Sequence, residues 1–198
     1  MMALVKKILV MRTDTPQGVA ALSIIPESDR DIFWQSKGLY LILDRIQDPG
    51  NLGTIIRTAA AADVKGIVLL QGTADPYSPK VLRASMGGIF YLPLLQETDL
   101  PQWHNVMKEQ GLRLIAADPK GKTPYYGIDL RSPCAVIIGN ESRGVEESLL
   151  RKADTRASIP LKGRLKTLNA AVAAAAFILE NQRQCDANVV FPLRECDS

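Results

Sequence analysis

Short apolar, β-branched runs alternate along this chain with amphipathic stretches of about a dozen residues, and no other feature restricts its fold as much. Residues 39–43, Leu-Tyr-Leu-Ile-Leu, read as a strand buried on both faces. An Ala-rich helix over 51–62 follows, with Asn51 available as its N-cap. Residues 66–70 form the next strand. Ser78-Pro79 then opens a helix that Gly87-Gly88 ends. A strand is predicted over 89–94, then a helix over 99–110 with Asp99 at its start, Pro101 in its first turn and Gly111 beyond its end. Residues 112–116 and 134–138 read as strands, 145–152 as a short helix and 157–159 as a brief strand. The last long helix, over 167–183, takes Thr167 as its cap. Strands joined through helices pair in parallel, so the expected fold is α/β, a mostly parallel sheet flanked by helices. Residues 1–30 differ in character: strand-like 8–11, polar 13–17 and apolar 19–25. Residues 27–37, charged around Phe33 and Trp34, read as a linker.

Several classes of function fall away on composition. Cys134, Cys185 and Cys196 show no Cys-x-x-Cys spacing and have only His104 for company, so neither a zinc site nor a disulfide framework is expected. No metal is called for, and a reducing cytoplasm is the expected compartment. The longest apolar run, 170–179, has ten residues, too few to span a bilayer. The N-terminal 11 residues mix basic and apolar side chains with no small-residue cleavage site after them. Twenty-four Lys and Arg against 21 Asp and Glu give +3, which implies nucleic-acid binding only if the cations cluster. His104, Trp34 and Trp103 lie away from the loops discussed next and read as packing residues, and Cys134 as the start of a buried strand.

In a parallel α/β sheet, ligands bind beyond the carboxyl ends of the strands. Three loops place Gly, Asn and charge there. The first runs from Asp44-Arg45 through Pro49-Gly50-Asn51-Leu52-Gly53 to Arg57. A helix N-terminus with an arginine nearby suits an anion such as phosphate. An ordinary turn with a cap and a solvated arginine would use the same residues. The second, Gly139-Asn140-Glu141-Ser142-Arg143-Gly144, follows an apolar strand, and Gly139 permits close backbone approach. Glu141 is placed to orient a hydroxyl or Arg57; a solvated β-to-α turn is the alternative. The third runs Ile159-Pro160-Leu161-Lys162-Gly163-Arg164-Leu165-Lys166-Thr167-Leu168-Asn169 into the Ala-rich helix. Its Lys162, Arg164 and Lys166 make a basic patch, whether for a ligand or for water.

The order and spacing of the three is far more specific than any one of them. Together they resemble the motifs of the SpoU (TrmH) family of RNA ribose 2′-O-methyltransferases, in the SPOUT superfamily, over residues 38–184. Asn-x-Gly-x-x-x-Arg is matched by Asn51, Gly53 and Arg57. Gly-Asn-Glu-x-x-Gly is matched by Gly139, Asn140, Glu141 and Gly144. Ile-Pro-x-x-Gly-x-x-x-Ser-Leu-Asn is matched by Ile159, Pro160, Gly163, Leu168 and Asn169, with Thr167 in place of Ser. Ala171 stands where many members carry Ser, and Ser142-Arg143 add bulk and charge to the second motif.

That resemblance implies a C-terminal trefoil knot, which the alternation of elements does not reveal. It also implies S-adenosylmethionine held by the knot loops near Gly139, Ile159, Leu161 and Leu168. Methyl transfer to a ribose 2′-hydroxyl of tRNA or rRNA would then rest on Arg57, Asn51, Glu141, Thr167 and Asn169. Arg45, Arg143, Lys162, Arg164 and Lys166 are the expected RNA contacts, and a homodimer the expected assembly. Many members carry an N-terminal RNA-binding domain. Residues 1–30, including Thr15-Pro16-Gln17-Gly18-Val19, resemble the remnant of one with its linker, and 38–198 the methyltransferase domain. A chain so shortened, with so small a net charge, is expected to bind RNA weakly and less as salt rises. A non-catalytic RNA-binding protein retaining the knot is the rival reading, motivated by Thr167 and the short N-terminus. A Rossmann-type nucleotide enzyme lacks its Gly-x-Gly-x-x-Gly here.

Overall fold

The computed structural model describes residues 24–25, 33–34, 37–97, 100–165 and 167–186. The strand-like stretch at 8–11, the polar one at 13–17, the apolar stretch at 19–25 up to residue 23, Asp99, Lys166 and Cys196 lie outside the described residues. Among the described residues, seven strands form one sheet: β1 (Leu39–Asp44), β2 (Gly66–Leu70), β3 (Leu94–Glu97), β4 (Arg113–Ala117), β5 (Thr123–Pro124), β6 (Cys134–Gly139) and β7 (Thr155–Ser158). Their order is β3-β2-β1-β6-β4-β7-β5, and every pairing is parallel. The helices are α1 (Pro49–Ala61), α2 (Pro79–Ala84), α3 (Leu100–Glu109), α4 (Glu147–Lys152) and α5 (Ala170–Cys185).

The buried run read from the sequence divides its side chains between two cores, as a strand's period of two requires. Leu39, Leu41 and Leu43 face one core with Leu52, Ile55, Ile56 and Ala59 of α1, Val81 of α2, and Ala174, Phe177 and Ile178 of α5. Tyr40 and Ile42 face the other with Met107 of α3 and Leu149 of α4. Each fully buried Leu or Ile contributes about 1.5–3 kcal/mol, so a sheet covered on both faces needs no crosslink. Cys134 is one of these core residues, and burial pushes its thiol up to about 12.

Phe33 and Trp34 are not merely linker. Both are buried, their rings 4.9 Å apart, and the Tyr40 hydroxyl donates to the Phe33 carbonyl at 2.9 Å. His104 is buried in α3, where loss of solvent lowers its pKa, consistent with a packing role.

Three expectations need correction. Residues 89–94 are not a strand: Gly88–Phe90 is a 3-10 turn, and β3 begins only at Leu94. Asn51 does not cap α1; Asp48 does, its side chain accepting from the Asn51 N–H, with Pro49 in the first turn. Thr167 does not cap α5, which starts at Ala170 with Asn169 as its cap. The second helix does open at Ser78-Pro79, with Ser78 in the N-cap position of α2, although its side chain makes no cap hydrogen bond.

This strand order puts β6 between β1 and β4. The chain runs outward from β1 through β2 to β3, then crosses to the other side for β4. The turn-round lies between β1 and β6, where Asp44 is in register with Gly139. Their two following loops therefore emerge side by side, at the kind of crevice where α/β sheets bind ligands.

Candidate active site

The first loop is tied down from its own start. Asp44 ends β1 buried, and Arg45 adopts a left-handed backbone (φ 56°) that folds its guanidinium back onto the Asp44 carboxylate. Both contacts are short, Nε to Oδ1 at 2.7 Å and Nη2 to Oδ2 at 2.8 Å. The paired carboxylate raises the Arg45 pKa still further. Asp44 Oδ2 also accepts from the Glu146 N–H at 2.8 Å, joining the first loop to the end of the second. Asp44 was not singled out in the sequence, although a carboxylate closing an apolar run, next to an arginine, was its visible sign.

The second loop is closed by Asn140. Its Oδ1 accepts from the Ser142 and Arg143 N–H groups at 2.9 and 3.2 Å, and its carbonyl from Gly144 at 2.7 Å. Its Nδ2 donates to the Arg45 carbonyl at 3.1 Å, locking the two loops together. Between them opens a pocket of about 280 Å³, lined by Arg45, Gln47, Asn140, Ser142 and Arg143. Gln47 and Ser142 are lining residues that the motif comparison does not mark.

Because Asp48 does the capping, the Asn51 side chain is released from its own helix. Its Nδ2 donates to Glu141 Oε1 at 2.5 Å, and its Oδ1 accepts from Asn169 Nδ2 at 2.9 Å. Asn169 Oδ1 in turn accepts from the Ala171 and Val172 N–H groups at the start of α5, at 2.9 and 3.3 Å. The polarity runs one way. An ionised carboxylate only accepts, so the Asn51 amide must turn its NH2 to Glu141 and its oxygen to Asn169. The helix N-terminus fixes the other end. Three residues from three distant loops thus share one hydrogen-bonded chain, and each orients the next.

Arg57, Arg143, Lys162, Arg164 and Thr167 are exposed, while Ile159, Leu161 and Leu168 are half-buried beyond the end of β7. Arg57 lies further along α1, outside the Glu141–Asn51–Asn169 chain. Lys166 is outside the described residues. Among the described residues, no three His, Cys, Asp or Glu side chains gather as metal ligands, and no helix is long and apolar enough to cross a membrane.

The link can be separated from the cap. Asn169→Ala should cost about 1 kcal/mol in urea unfolding through loss of the N-cap. Asn169→Asp keeps a capping oxygen but sets an acceptor against Asn51 Oδ1. It should recover most of that stability and leave Asn51 misoriented. If the two substitutions destabilise equally, the cap is not what Asn169 supplies.

The model of the SpoU rRNA methylase family matches residues 38–179, a span that contains all three loops. A relative in Bacillus subtilis, the 23S rRNA (guanosine(2553)-2'-O)-methyltransferase RlmP, is 38% identical over 85% of this chain and 66% of its own length. The SpoU methyltransferase AviRb from Streptomyces viridochromogenes, solved with AdoMet, superposes with a TM-score of 0.76 at 32% identity, covering 82% of this chain and 64% of that one. An AdoMet-bound rRNA methyltransferase from Sinorhizobium meliloti gives 0.74 at 35% identity, over 80% of this chain and 61% of that one. The chain therefore spans about two thirds of the length of these relatives. With the family's sequence pattern laid over a parallel sheet whose switch point joins the three loops, the chain belongs to the SpoU rRNA methylase family.

Proposed function

We propose that this chain transfers a methyl group from S-adenosylmethionine to a ribose 2′-hydroxyl of rRNA or tRNA. The observation that carries the reading is the Glu141–Asn51–Asn169 chain at the β1/β6 switch point, with Arg57 exposed on the helix that carries Asn51 and Arg143 exposed in the loop that carries Glu141. A relative named as a 23S rRNA 2'-O-methyltransferase, and an rRNA methyltransferase and a SpoU methyltransferase each solved with AdoMet, support it.

The residues present suit that cofactor. Half-buried Ile159, Leu161 and Leu168 offer apolar surface beyond the end of β7, and Gly139, at the end of β6, brings its main chain close to that of Gly144 and Val145. When bound, S-adenosylmethionine supplies an electrophilic methyl on a sulfonium. The chain's own work is alignment. An in-line displacement needs the hydroxyl oxygen held on the axis of the breaking bond and its proton accommodated. A guanidinium is a very weak base and a strong phosphate ligand, so the role given to Arg57 is to hold the ribose-phosphate and set the hydroxyl in line, the RNA phosphate assisting with the proton. Asn51, Glu141, Thr167 and Asn169 wall the ribose. Arg45, Arg143, Lys162, Arg164 and Lys166 hold the flanking backbone.

The assembly belongs to the same reading. Asn181 and Gln184, near the end of α5, donate to the Leu130 and Ile128 carbonyls at 2.6 and 2.9 Å, fastening α5 to the segment before β6. That clasp is in keeping with a C-terminal segment threaded as a knot. Val172 and Leu179 leave an apolar stripe exposed on α5, suited to a second copy of the chain. The compartment is the cytoplasm.

Incubation of the chain with radiolabelled S-adenosylmethionine and either rRNA or tRNA, then nuclease digestion and mass spectrometry, tests the reaction. Label should appear in 2′-O-methyl nucleosides, and the RNA KM should rise with salt. Label on bases, or none in either RNA, contradicts the assignment.

A further inference from the structure

The corrected segment after α2 leaves large apolar side chains in water beside Arg57. Met86, Phe90 and Tyr91 are 72%, 75% and 83% exposed. A 3-10 turn carries the two rings: the Phe90 N–H donates to the Gly87 carbonyl and the Tyr91 N–H to that of Gly88, both at 3.1 Å. The turn rests on α1. Gly88 is buried there, and a Cβ on it would lie 3.2 Å from Arg57 Cα and 3.3 Å from Ala60 Cβ. The two aromatic rings are therefore carried on a backbone packed against that of Arg57. A cluster of exposed apolar side chains like this one marks a contact surface.

Charge says which kind. Residues 79–93 include Lys80 and Arg83 and no carboxylate. Lys80 lies 3.7 Å from Asp48, which leaves two exposed cations close by in the chain's path: Arg83, on α2 just ahead of the turn, and Arg57, whose backbone the turn packs against. Aromatic faces set among guanidinium groups suit unpaired bases with their phosphates: the ring takes the base face and the arginine the backbone. A duplex keeps its base faces stacked on one another and cannot use the rings.

We infer that Phe90 and Tyr91 form a stacking platform for single-stranded RNA flanking the nucleotide placed at Arg57. The inference rests on the RNA-methylating reading and adds the strandedness of the substrate to it.

Fluorescence anisotropy of a labelled oligoadenylate of about 12 nucleotides, and of a duplex of the same length, tests it with the whole chain. Phe90→Ser and Tyr91→Ser should each weaken single-strand binding by about fivefold or more, the equivalent of roughly 1 kcal/mol or more per stacked base. Tyr91→Trp should restore it, and duplex binding should change little. Calorimetric titration with S-adenosylmethionine and sedimentation velocity accompany each variant, and neither should differ from wild type. Unchanged single-strand affinity in the serine variants overturns the platform, and so does absence of oligoadenylate binding by wild type. Serine variants that sediment as a smaller species than wild type also overturn it, because the patch would then be covered by a second copy of the chain. If the variants bind as wild type does while wild type still methylates ribose, the platform fails and the enzymatic reading stands. A Tyr91-dependent affinity in a chain that methylates no RNA separates them the other way.

Discussion

Replacing Arg57 with alanine is expected to lower methyl transfer at saturating RNA by roughly 100-fold or more, through lost alignment. S-adenosylmethionine binding should persist, because Arg57 is exposed on α1 and takes no part in the chain that links the three loops. Single-turnover kinetics together with calorimetry measure the two separately. The lysine variant then discriminates between roles. A lysine releases its proton far more readily than an arginine, so a general base at this position would work better as lysine. A positioning group works worse, since lysine keeps the charge and loses the planar fork that grips a phosphate from two directions. We expect Arg57→Lys to be slower than wild type and faster than Arg57→Ala. Undiminished turnover in Arg57→Ala would remove the residue from the mechanism.

How much of this was legible beforehand depended on whether the signal was local. The run at 39–43 could be read as doubly buried because its period of two needs no partner to be seen. The two misassigned caps share a physical cause. Asp, Asn and Thr all offer a short side-chain acceptor, and the choice among them depends on where the first turn begins. Pro49 favoured Asp48 over Asn51, since proline fits the first helical turn. At α5, nothing local separated Thr167 from Asn169. The error mattered at Asn51, because a capping Asn51 would have turned its oxygen to its own helix and away from Asn169 Nδ2. Residues 89–94 misled through composition: Ile-Phe-Tyr-Leu is strand-like, yet Phe90 and Tyr91 face water and the chain turns at Gly87. β5, two residues long, exists only through its register with β7 and leaves no periodic trace. Sheet order was beyond reach for the same reason, since parallel neighbours are chosen by long-range packing. The motifs marked Asn51, Glu141 and Asn169 as a set. Only their coming together, across 90 and 118 residues of chain, explains why the set is these three.

Gly139→Ala should be the most damaging single methyl added to the site. A Cβ there would stand 2.2 Å from both Gly144 C and Val145 N, and 2.5 Å from the Gly144 carbonyl oxygen. All three are main-chain atoms, so no side chain can swing aside. Nor can the 144–145 segment retreat easily. The Gly144 N–H is bonded to the Asn140 carbonyl, the Val145 side chain is buried, and the Glu146 N–H is held by Asp44. A loss of about 3 kcal/mol in urea unfolding is expected, at the upper end of overpacking costs. Gly163→Ala supplies the contrast: a Cβ there meets nothing within 4 Å, and its effect should stay within about 0.5 kcal/mol. Any relief of the Gly139 clash must move the Asn140–Gly144 turn, which carries Glu141 away from Asn51. Activity of the folded fraction should therefore fall as well, beyond what the unfolded population accounts for. Equal stability in the two variants would mean that the turn opens at Gly139 without cost. Glu141 would then need some other restraint to reach Asn51.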